Sequence, residues 1–431
     1  MAPRPRPAAD HDGVATVDTQ ISLSAAARRR GLIVLLAATF LTWGGFFVVV
    51  PLIAVHYVDG LGWAASSVGL VLAVRQFTQQ GTTTLSGALA DRLGAKGLIC
   101  AGMLVRALGF AIMARADSFA ILMLSAIVTA LGGGLFEAPK AAAIATLTDE
   151  SNRRRFYSLA GVVAGLGVAI GTQVGALLIK ADFAVVSLVG AVVFLVTFLL
   201  VLVFLPPVRV ATESHGLIQG FASVSRDRIF VAYVALLMGY WFMWAQFNLS
   251  LTLAAASVAG TDSAVAWVYG VSSAVAVILG YPLPRLVERR LAAFPTLVLG
   301  IVLTALGMGA VGAASSVPAL LVCVFVISLG SILVLPGEQT VTAGMAAPTA
   351  RGSYFGVAAL SLAIGGGIGH YAGGLVYDYG ERAGLPALPW LLYCGVGTAA
   401  AVGLWRLRRA VVAGERRPAS TGAEVGATPS A

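Results

Sequence analysis

Charged residues are scarce in this chain. Of its 431 residues, 11% are Asp, Glu, Lys or Arg, whereas 58% are hydrophobic and the mean hydropathy is +0.91. An ordinary soluble domain carries about 25% charged residues. The chain therefore has too little polar surface to be solvated by water, which excludes an ordinary soluble domain. The expected solvent is the lipid bilayer.

Cysteine is equally scarce. The three cysteines, Cys100, Cys323 and Cys394, lie singly in apolar stretches. They show neither a metal-binding spacing nor a disulfide framework. The chain also lacks a Walker A motif, paired metal ligands, a nucleophile elbow and room for a sizeable soluble domain. We therefore expect no enzyme activity, no metal and no cofactor.

Long apolar runs are abundant. A membrane-spanning helix needs roughly 20 mostly apolar residues, and twelve stretches of the sequence qualify. Their continuity predicts helices rather than a β-barrel, whose strands alternate over about ten residues. The expected fold class is an all-α membrane protein. The predicted spans are residues 32–56, 65–86, 97–115, 118–146, 157–180, 183–206, 229–255, 264–284, 293–313, 317–342, 353–377 and 388–408.

The positive charges lie mainly in alternate loops. If the N-terminus is assigned to the cytoplasm, 22 of the 28 Lys and Arg residues fall in cytoplasmic segments and three in outer loops. Such an excess of Lys and Arg marks the cytoplasmic side of a membrane protein. It predicts that both termini are cytoplasmic. The net charge of +9 is then a signature of membrane orientation, and we expect no nucleic-acid partner.

One block of the sequence occurs twice. Residues 132–178 align without a gap with residues 330–376, at a shift of 198 positions that places Gly132 on Gly330. A period close to half the chain length predicts two related six-helix bundles that face each other. The predicted domains are a cytoplasmic tail (1–30), a first bundle (31–206), a cytoplasmic central loop (207–227), a second bundle (228–408) and a disordered cytoplasmic tail (409–431).

A short motif connects the second and third predicted spans. Residues 87–96 read Gly-Ala-Leu-Ala-Asp-Arg-Leu-Gly-Ala-Lys. Gly87 and Gly94 allow close backbone approach, and Asp91 places a negative charge where it can face a helix N-terminus. Arg92 and Lys96 supply positive charge beside it. The motif resembles the G-x-L-x-D-R-x-G-R-K signature of the major facilitator superfamily and departs from it at Ala95.

This resemblance implies a gate. In the superfamily the motif faces the start of the eleventh helix, which here would begin near Ser353, and holds the cytoplasmic side shut. The alternative is a solvated basic loop without a gating role.

Longer blocks resemble a multidrug efflux branch of the same superfamily. They lie in residues 45–113, in RGSYFG at 351–356 and in LAIGGGIG at 362–369. The resemblance implies a proton-driven drug:H⁺ antiporter that spans the bacterial inner (plasma) membrane many times. It also implies a small-molecule substrate, the proton gradient as energy source, and function as a monomer.

The fifth predicted span carries glycines at four-residue steps. Gly167, Gly171 and Gly175 predict close helix packing. They keep the spacing of the drug-antiporter signature, but Thr172 stands where that signature has proline and Ala176 where it has its second glycine. A transporter of a particular metabolite or sugar, working in either direction, therefore remains the alternative function.

Several ionisable groups lie inside predicted spans, where they are costly and often functional. Arg75, with Gln76 and Gln79 beside it, either lines a central cavity or forms a structural network. Glu137 and Lys140 stand three residues apart on one helix face.

A carboxylate in a dry site can exchange a proton for substrate, so Glu137 and Glu338 are candidates for proton coupling. His370 is a further candidate because histidine changes charge near neutral pH. The alternatives are a salt bridge for the carboxylates and a packing role for His370.

The seventh predicted span presents an aromatic face with amide groups. Tyr240, Trp244 and Asn248 follow one another at four-residue steps, and Gln246 lies between them. Such a face suits amphiphilic molecules, which need contact area and few fixed hydrogen bonds. We predict substrate contacts here; an aromatic belt at the membrane interface is the alternative.

Overall fold

The computed structural model describes residues 24–207, 224, 226–261, 264–346 and 351–415, and in these ranges all regular structure is helical. We number the spanning segments α1 to α12. They are α1 (Ala25–Ala54, continued by a π turn at Val55–Gly60), α2 (Ala65–Leu93), α3 (Ala95–Met113), α4 (Phe119–Leu147), α5 (Glu150–Leu178), α6 (Phe183–Phe204), α7 (Arg228–Ala245, Gln246–Asn248 and Ser250–Ala259), α8 (Ala264–Leu279 and Pro282–Glu288), α9 (Ala293–Val311), α10 (Val317–Met345), α11 (Arg351–Leu360, Ser361–Gly366 and Gly367–Arg382) and α12 (Leu388–Glu415).

Ten of these segments are long and apolar enough to cross a membrane, and the count is eleven if the two bent parts of α8 form one span. The remaining segment, α2, is long enough but carries Arg75 and several glutamines and threonines in its middle. The all-helical membrane fold predicted from the apolar runs is confirmed, and each predicted span falls on one segment.

Local sequence explains where several segments begin. Ser118 accepts a hydrogen bond from the Ile121 backbone N–H at the start of α4, and Asp227 caps α7 in the same way. Such caps satisfy N–H groups that have no partner within the helix. Gly94, with a φ of 79°, makes the tight turn between α2 and α3, a conformation that other residues rarely adopt.

Three segments are interrupted. A 3₁₀ turn at Gln246–Asn248 breaks α7, and a π turn at Ser361–Gly366 breaks α11. The two parts of α8 meet at an angle of 57°, just before Pro282. Proline provides no backbone N–H to bond the preceding turn, so it is compatible with this bend. Interruptions of this kind leave backbone groups available inside a membrane protein.

The sequence repeat is visible in the helix crossings. A Cβ atom on Gly132 would lie 2.6 Å from the carbonyl oxygen of Gly102, where α4 crosses α3. A Cβ atom on Gly330 would lie 2.5 Å from the carbonyl oxygen of Gly300, where α10 crosses α9. Gly132 corresponds to Gly330, and Gly102 to Gly300, at the same shift of 198 positions. The two halves therefore share a backbone plan that requires glycine at equivalent positions.

Segments α5 and α11 also carry close-packing glycines at positions related by the shift of 198. Gly171 of α5 packs on the backbone of Gly44 in α1, and Gly369 of α11 packs on the backbone of Phe242 in α7. Gly167 and Gly175 make equivalent close contacts with α1. These glycines form close seams within each half, as small residues do between membrane helices.

Buried apolar side chains form two main clusters, one centred on α1–α6 and the other on α7–α12. We call these the N-terminal and C-terminal bundles. We call the side on which α1 begins the terminal side, and the opposite side the distal side. The bundles meet where α2 packs on α11 and α5 packs on α8. A hydrogen bond from the Gln173 side-chain amide to the carbonyl of Ala266 links the second pair.

Candidate substrate site between the bundles

Aromatic rings connect the two bundles in an unbroken series, which we call the aromatic series. Its links have ring-centroid separations between 5.0 and 6.5 Å. Offset and edge-on ring contacts at such separations are favourable. The series crosses from α1 to α8 and α7. In order, its members are Trp43, Phe47, Tyr269, Phe247, Trp244, Tyr240 and Trp241.

At its N-terminal-bundle end the aromatic series adjoins two arginines. Phe46 packs against Phe47, with ring centroids 5.3 Å apart. The guanidinium carbons of Arg75 and Arg106 lie 5.2 and 4.9 Å from the Phe46 ring centroid. Phe194 covers Arg106 from a second direction, at 5.1 Å. Both cations are thus held in the helix core against aromatic faces.

Neither arginine forms an ion pair with a carboxylate in the described part of the chain. Arg75 donates a hydrogen bond of 3.2 Å to the side-chain oxygen of Gln79, but the Nε atoms of Arg75 and Arg106 have no partner among the described residues. The predicted polar patch on α2 is therefore part of a cation-rich interior of the N-terminal bundle. The sequence prediction did not include Arg106 among the site residues.

Glu137 and Lys140 form an ion pair, as their spacing on α4 predicts. The Lys140 ammonium lies 3.1 Å from a Glu137 carboxylate oxygen, with the two side chains 12% and 35% exposed. Lys140 also lies over the Phe136 ring, at 4.5 Å from its centroid. Glu137 therefore already has a cationic partner on its own helix.

Glu338 lies on α10 of the C-terminal bundle, at the position that corresponds to Lys140 on α4. Its surroundings differ from those of the Glu137–Lys140 pair. Its side chain is 9% exposed, and its Oε2 atom has no hydrogen-bond partner in the part of the chain that the structure describes. Tyr240, near the end of the aromatic series, lies within electrostatic range of it. No ion pair to Glu338 is found among the described residues. The Glu338 carboxylate is thus a buried polar group that is left unsatisfied by the described residues.

The two amide side chains predicted for substrate contact have intramolecular partners. Gln246 is fully buried and donates hydrogen bonds to the carbonyls of Phe242 and Gly369, at 3.0 and 2.8 Å. It also accepts one from Ser250. These bonds join the broken middle of α7 to α11. Asn248 is less buried and accepts a hydrogen bond of 2.9 Å from the hydroxyl of Tyr269.

His370 and Gln76 lie where α2 meets α11. His370 is buried, its Nδ1 atom lacks a partner among the described residues, and the charge of Arg75 acts on it. Gln76 lies beside Gly366 of α11. The structure thus places both residues between the bundles rather than in the lipid-facing surface.

The predicted gating motif joins α2 to α3. Gly94 makes the turn, and the Lys96 side chain is partly exposed in the first turn of α3. The surroundings of Gly87 and the side chains of Asp91 and Arg92 lie outside the described part of the structure. The gating role of the motif stays a prediction.

The N-terminal contribution to the aromatic series was missed by sequence reasoning. The signal that reveals it is the repeat: the shift of 198 positions places Trp43 on Trp241 and Phe46 on Trp244. An aromatic face identified on one half of such a chain should therefore be sought at the equivalent positions of the other.

Two bundles that enclose polar and aromatic groups between them have the architecture of a membrane transporter. A family model described as Major Facilitator Superfamily matches residues 35–308. The chain belongs to this superfamily, as the loop motif predicted.

The resemblance to a multidrug efflux branch is also confirmed. A protein of Photorhabdus laumondii named "Multidrug resistance protein MdtH" is 41% identical over 379 residues, covering 88% of this chain and 94% of that protein. Proteins of the same name from Sodalis glossinidius and Yersinia pestis are 40% identical, with 88% and 90% of this chain covered and 94% and 97% of theirs.

Solved structures show the same fold at low sequence identity. A POT family transporter in complex with a thioalcohol-conjugated peptide has a TM-score of 0.75 and 13% identity, covering 90% of this chain and 97% of its own. The nucleoside transporter NupG has a TM-score of 0.74 and 15% identity, covering 88% of this chain and 99% of its own. Both comparisons show the fold alone.

Proposed function

We propose that this chain is a secondary active transporter that exports amphiphilic small molecules in exchange for protons. The observation that carries the proposal is the similarity of 40–41% over almost the whole chain to proteins named for multidrug resistance. The chain works by alternating access, as a monomer and without a bound cofactor. The pH gradient across the membrane supplies the energy.

The aromatic series supports an amphiphilic substrate. Rings such as Trp244 and Phe47 offer broad apolar contact area at the bundle interface, with few groups that fix one hydrogen-bond pattern. Sites of this composition accept molecules of varied shape. Tyr240 and Trp244 are the substrate contacts that we propose on the C-terminal bundle, and Trp43 and Phe47 those on the N-terminal bundle.

Glu338 supports proton coupling. It is a buried carboxylate with an oxygen that lacks a partner among the described residues. We assign the exchanged proton to Glu338 rather than to Glu137, because Glu137 is paired with Lys140. Protonation of Glu338 and substrate binding would then compete within one site.

The distribution of positive charge supports the orientation. Lys and Arg cluster in segments on the terminal side of the bundles, including Arg153, Arg285 and Arg406. By the positive-inside rule this side is cytoplasmic. The proposed location is the bacterial inner membrane, with the distal side facing outward.

The test uses inside-out membrane vesicles with an imposed pH gradient, acid inside, and a panel of fluorescent cationic dyes. The proposal predicts that vesicles containing the chain accumulate at least one dye, and that a protonophore abolishes accumulation while ATP remains present. Vesicles lacking the chain are the control.

Thr172 and Ala176 depart from the drug-antiporter signature of the fifth span, and this departure favours a second candidate function. It is transport of one particular metabolite or sugar. If no dye moves under a gradient of either sign, the multidrug assignment is wrong and this narrower function replaces it.

A further inference from the structure

Asp378, near the distal end of α11, binds the first turn of α2 in the opposite bundle. Its two carboxylate oxygens accept hydrogen bonds from the backbone N–H groups of Ala65 and Ser66, at 2.8 and 2.9 Å. These are N–H groups that a helix cannot satisfy itself. A carboxylate there also meets the positive end of the helix dipole, which makes both bonds charge-assisted.

The two helices come close enough for this contact because both carry glycine where they meet. A Cβ atom on Gly374, one turn before Asp378, would lie 2.6 Å from the carbonyl oxygen of Ala65. A Cβ atom on Gly69 would collide with the carbonyl of His370. The contact of Asp378 with α2 therefore exists only while the bundles touch at their distal ends.

Contacts between the bundles in the described residues run from the distal end to the middle of the molecule. Along α2 and α11 they extend from Ala65 to Phe77, which packs on Gly367. The first part of α11, Arg351–Leu360, packs mainly on α7 and α10 of its own bundle. The structure is thus closed on the distal side, and Asp378 is part of that closure.

We propose that Asp378 is a gating residue that holds the distal side shut and must release α2 before substrate can leave on that side. The arrangement is reciprocal to the one predicted for the loop motif. In that prediction, Asp91 at the terminal end of α2 would face the start of α11. Here, Asp378 at the distal end of α11 caps the start of α2. Because α2 and α11 are antiparallel, the predicted Asp91 contact and the observed Asp378 contact would lie at opposite ends of the same helix pair.

Alternating access would then exchange one aspartate contact for the other. Closing the terminal side would form the Asp91 contact as the bundles rock, and opening the distal side would break the Asp378 contact. The cost of breaking two charge-assisted hydrogen bonds is offset by those formed at the opposite end. This inference rests on the transport by alternating access proposed above.

The experiment measures the distance across the distal side in the full-length chain, reconstituted in liposomes. Spin labels are placed at Leu61 and Leu385, two exposed side chains in distal loops of opposite bundles, after replacement of the three native cysteines. Electron–electron double resonance then gives the populations of short and long distances. The variants are Asp378→Ala, Asp378→Asn and, as a matched control, Glu381→Ala, which removes an exposed carboxylate from the same helix end.

Loss of the contact should raise the ratio of distal-open to distal-closed molecules by about tenfold in Asp378→Ala, since two bonds to a charged group are removed from one state only. Asp378→Asn should lie between Asp378→Ala and wild type, because an amide oxygen can still accept one of the two bonds. Glu381→Ala should match wild type.

Identical distance distributions in all four proteins would overturn the proposal and leave Asp378 as a static helix cap. So would an equal shift in Glu381→Ala. If Asp378→Ala does not reach the membrane in folded form, the Asp378→Asn distribution decides the question alone. The measurement needs no substrate, so its result does not depend on whether the chain exports drugs.

Discussion

The crossing of α3 with α4 and the equivalent crossing of α9 with α10 share their glycines but enclose different side chains beside them. In the N-terminal bundle, Gly132 of α4 abuts the backbone of Arg106. In the C-terminal bundle, Gly330 of α10 abuts the backbone of Thr304. Both residues are buried. The backbone geometry is repeated, whereas the side chain that it encloses changes from a cation to a small hydroxyl.

The same contrast holds elsewhere in the two bundles. The shift of 198 positions places Arg75 on Ser273 and Lys140 on Glu338. The N-terminal bundle therefore buries arginines with aromatic cover, and the C-terminal bundle buries a single carboxylate that has no cationic partner among the described residues. Glycine is kept where the helices approach each other closely, whereas the buried charges differ between the two bundles.

The largest loss of stability is expected when the buried arginine of the N-terminal bundle is introduced at the equivalent position of the C-terminal bundle. Thr304→Arg replaces a small buried hydroxyl by a large cation at the tightly packed crossing of α9 and α10. An unpaired buried charge costs about 3–5 kcal/mol, so we expect little folded protein by size-exclusion chromatography in detergent. Thr304→Val is the control, because the Thr304 hydroxyl bonds only to the carbonyl of Gly300 in its own helix. Wild-type-like folding of Thr304→Arg would contradict this account.

The second-largest loss of stability is expected from substitution of the glycines at the two helix crossings. Gly132→Ala and Gly330→Ala each place a methyl group within 2.7 Å of backbone atoms. We expect each to lower stability by about 1–3 kcal/mol, the usual cost of overpacking, and by similar amounts. Thermal unfolding in detergent measures the effect. Gly161→Ala is the control, since no atom lies within 4 Å of its Cβ position. A large loss in only one bundle would show that the backbone plan is not shared.

A smaller effect is expected at the two aromatic residues that the repeat aligns. Phe46→Leu replaces the ring face beside both Arg75 and Arg106 by an aliphatic side chain, so it removes a cation–π contact from each in addition to packing. Trp244→Leu loses packing alone. A double-mutant cycle separates the two contributions: replacing Arg106 by Met should reduce the cost of Phe46→Leu and leave that of Trp244→Leu unchanged. Equal coupling energies of Arg106 with Phe46 and with Trp244 would contradict the claim that only Phe46 stabilises a buried cation.

The smallest effect is expected from Glu137→Gln. Its ion pair with Lys140 is partly exposed, and pairs of this kind contribute about 0–1 kcal/mol. The midpoint temperature of thermal unfolding should therefore change little in Glu137→Gln, and a higher salt concentration should reduce even that change. Loss of gradient-driven dye accumulation in Glu137→Gln, with Glu338→Gln unaffected, would reverse the assignment of the proton carrier.

Much of the fold could be predicted from the sequence because its determinants are local. An apolar run such as residues 183–206 specifies a membrane helix by itself, and the duplicated block specifies two bundles. The breaks at Gln246–Asn248 and Ser361–Gly366 were not predicted. They depend on tertiary contacts, such as the Gln246 hydrogen bond to α11, which no local pattern encodes.

The candidate site could be predicted only in part for the same reason. Glu338 and Tyr240 stand out as polar or aromatic residues in apolar helices. Arg106 was not among the predicted site residues, and its contact with Phe46 depends on the way the helices of the N-terminal bundle pack. The role of Asp378 depends on α2, more than 300 positions earlier in the chain, so no spacing within α11 reveals it.

The claim that Glu338 carries the exchanged proton is tested most directly in liposomes reconstituted with the purified chain. One assay follows accumulation of a transported dye under a pH gradient, and a second follows exchange of that dye between the two sides without any gradient. We predict that Glu338→Gln loses the first activity and keeps the second. Thr340→Ala, whose hydroxyl bonds only within α10, should keep both. Gradient-driven accumulation by Glu338→Gln at the wild-type rate would contradict the account.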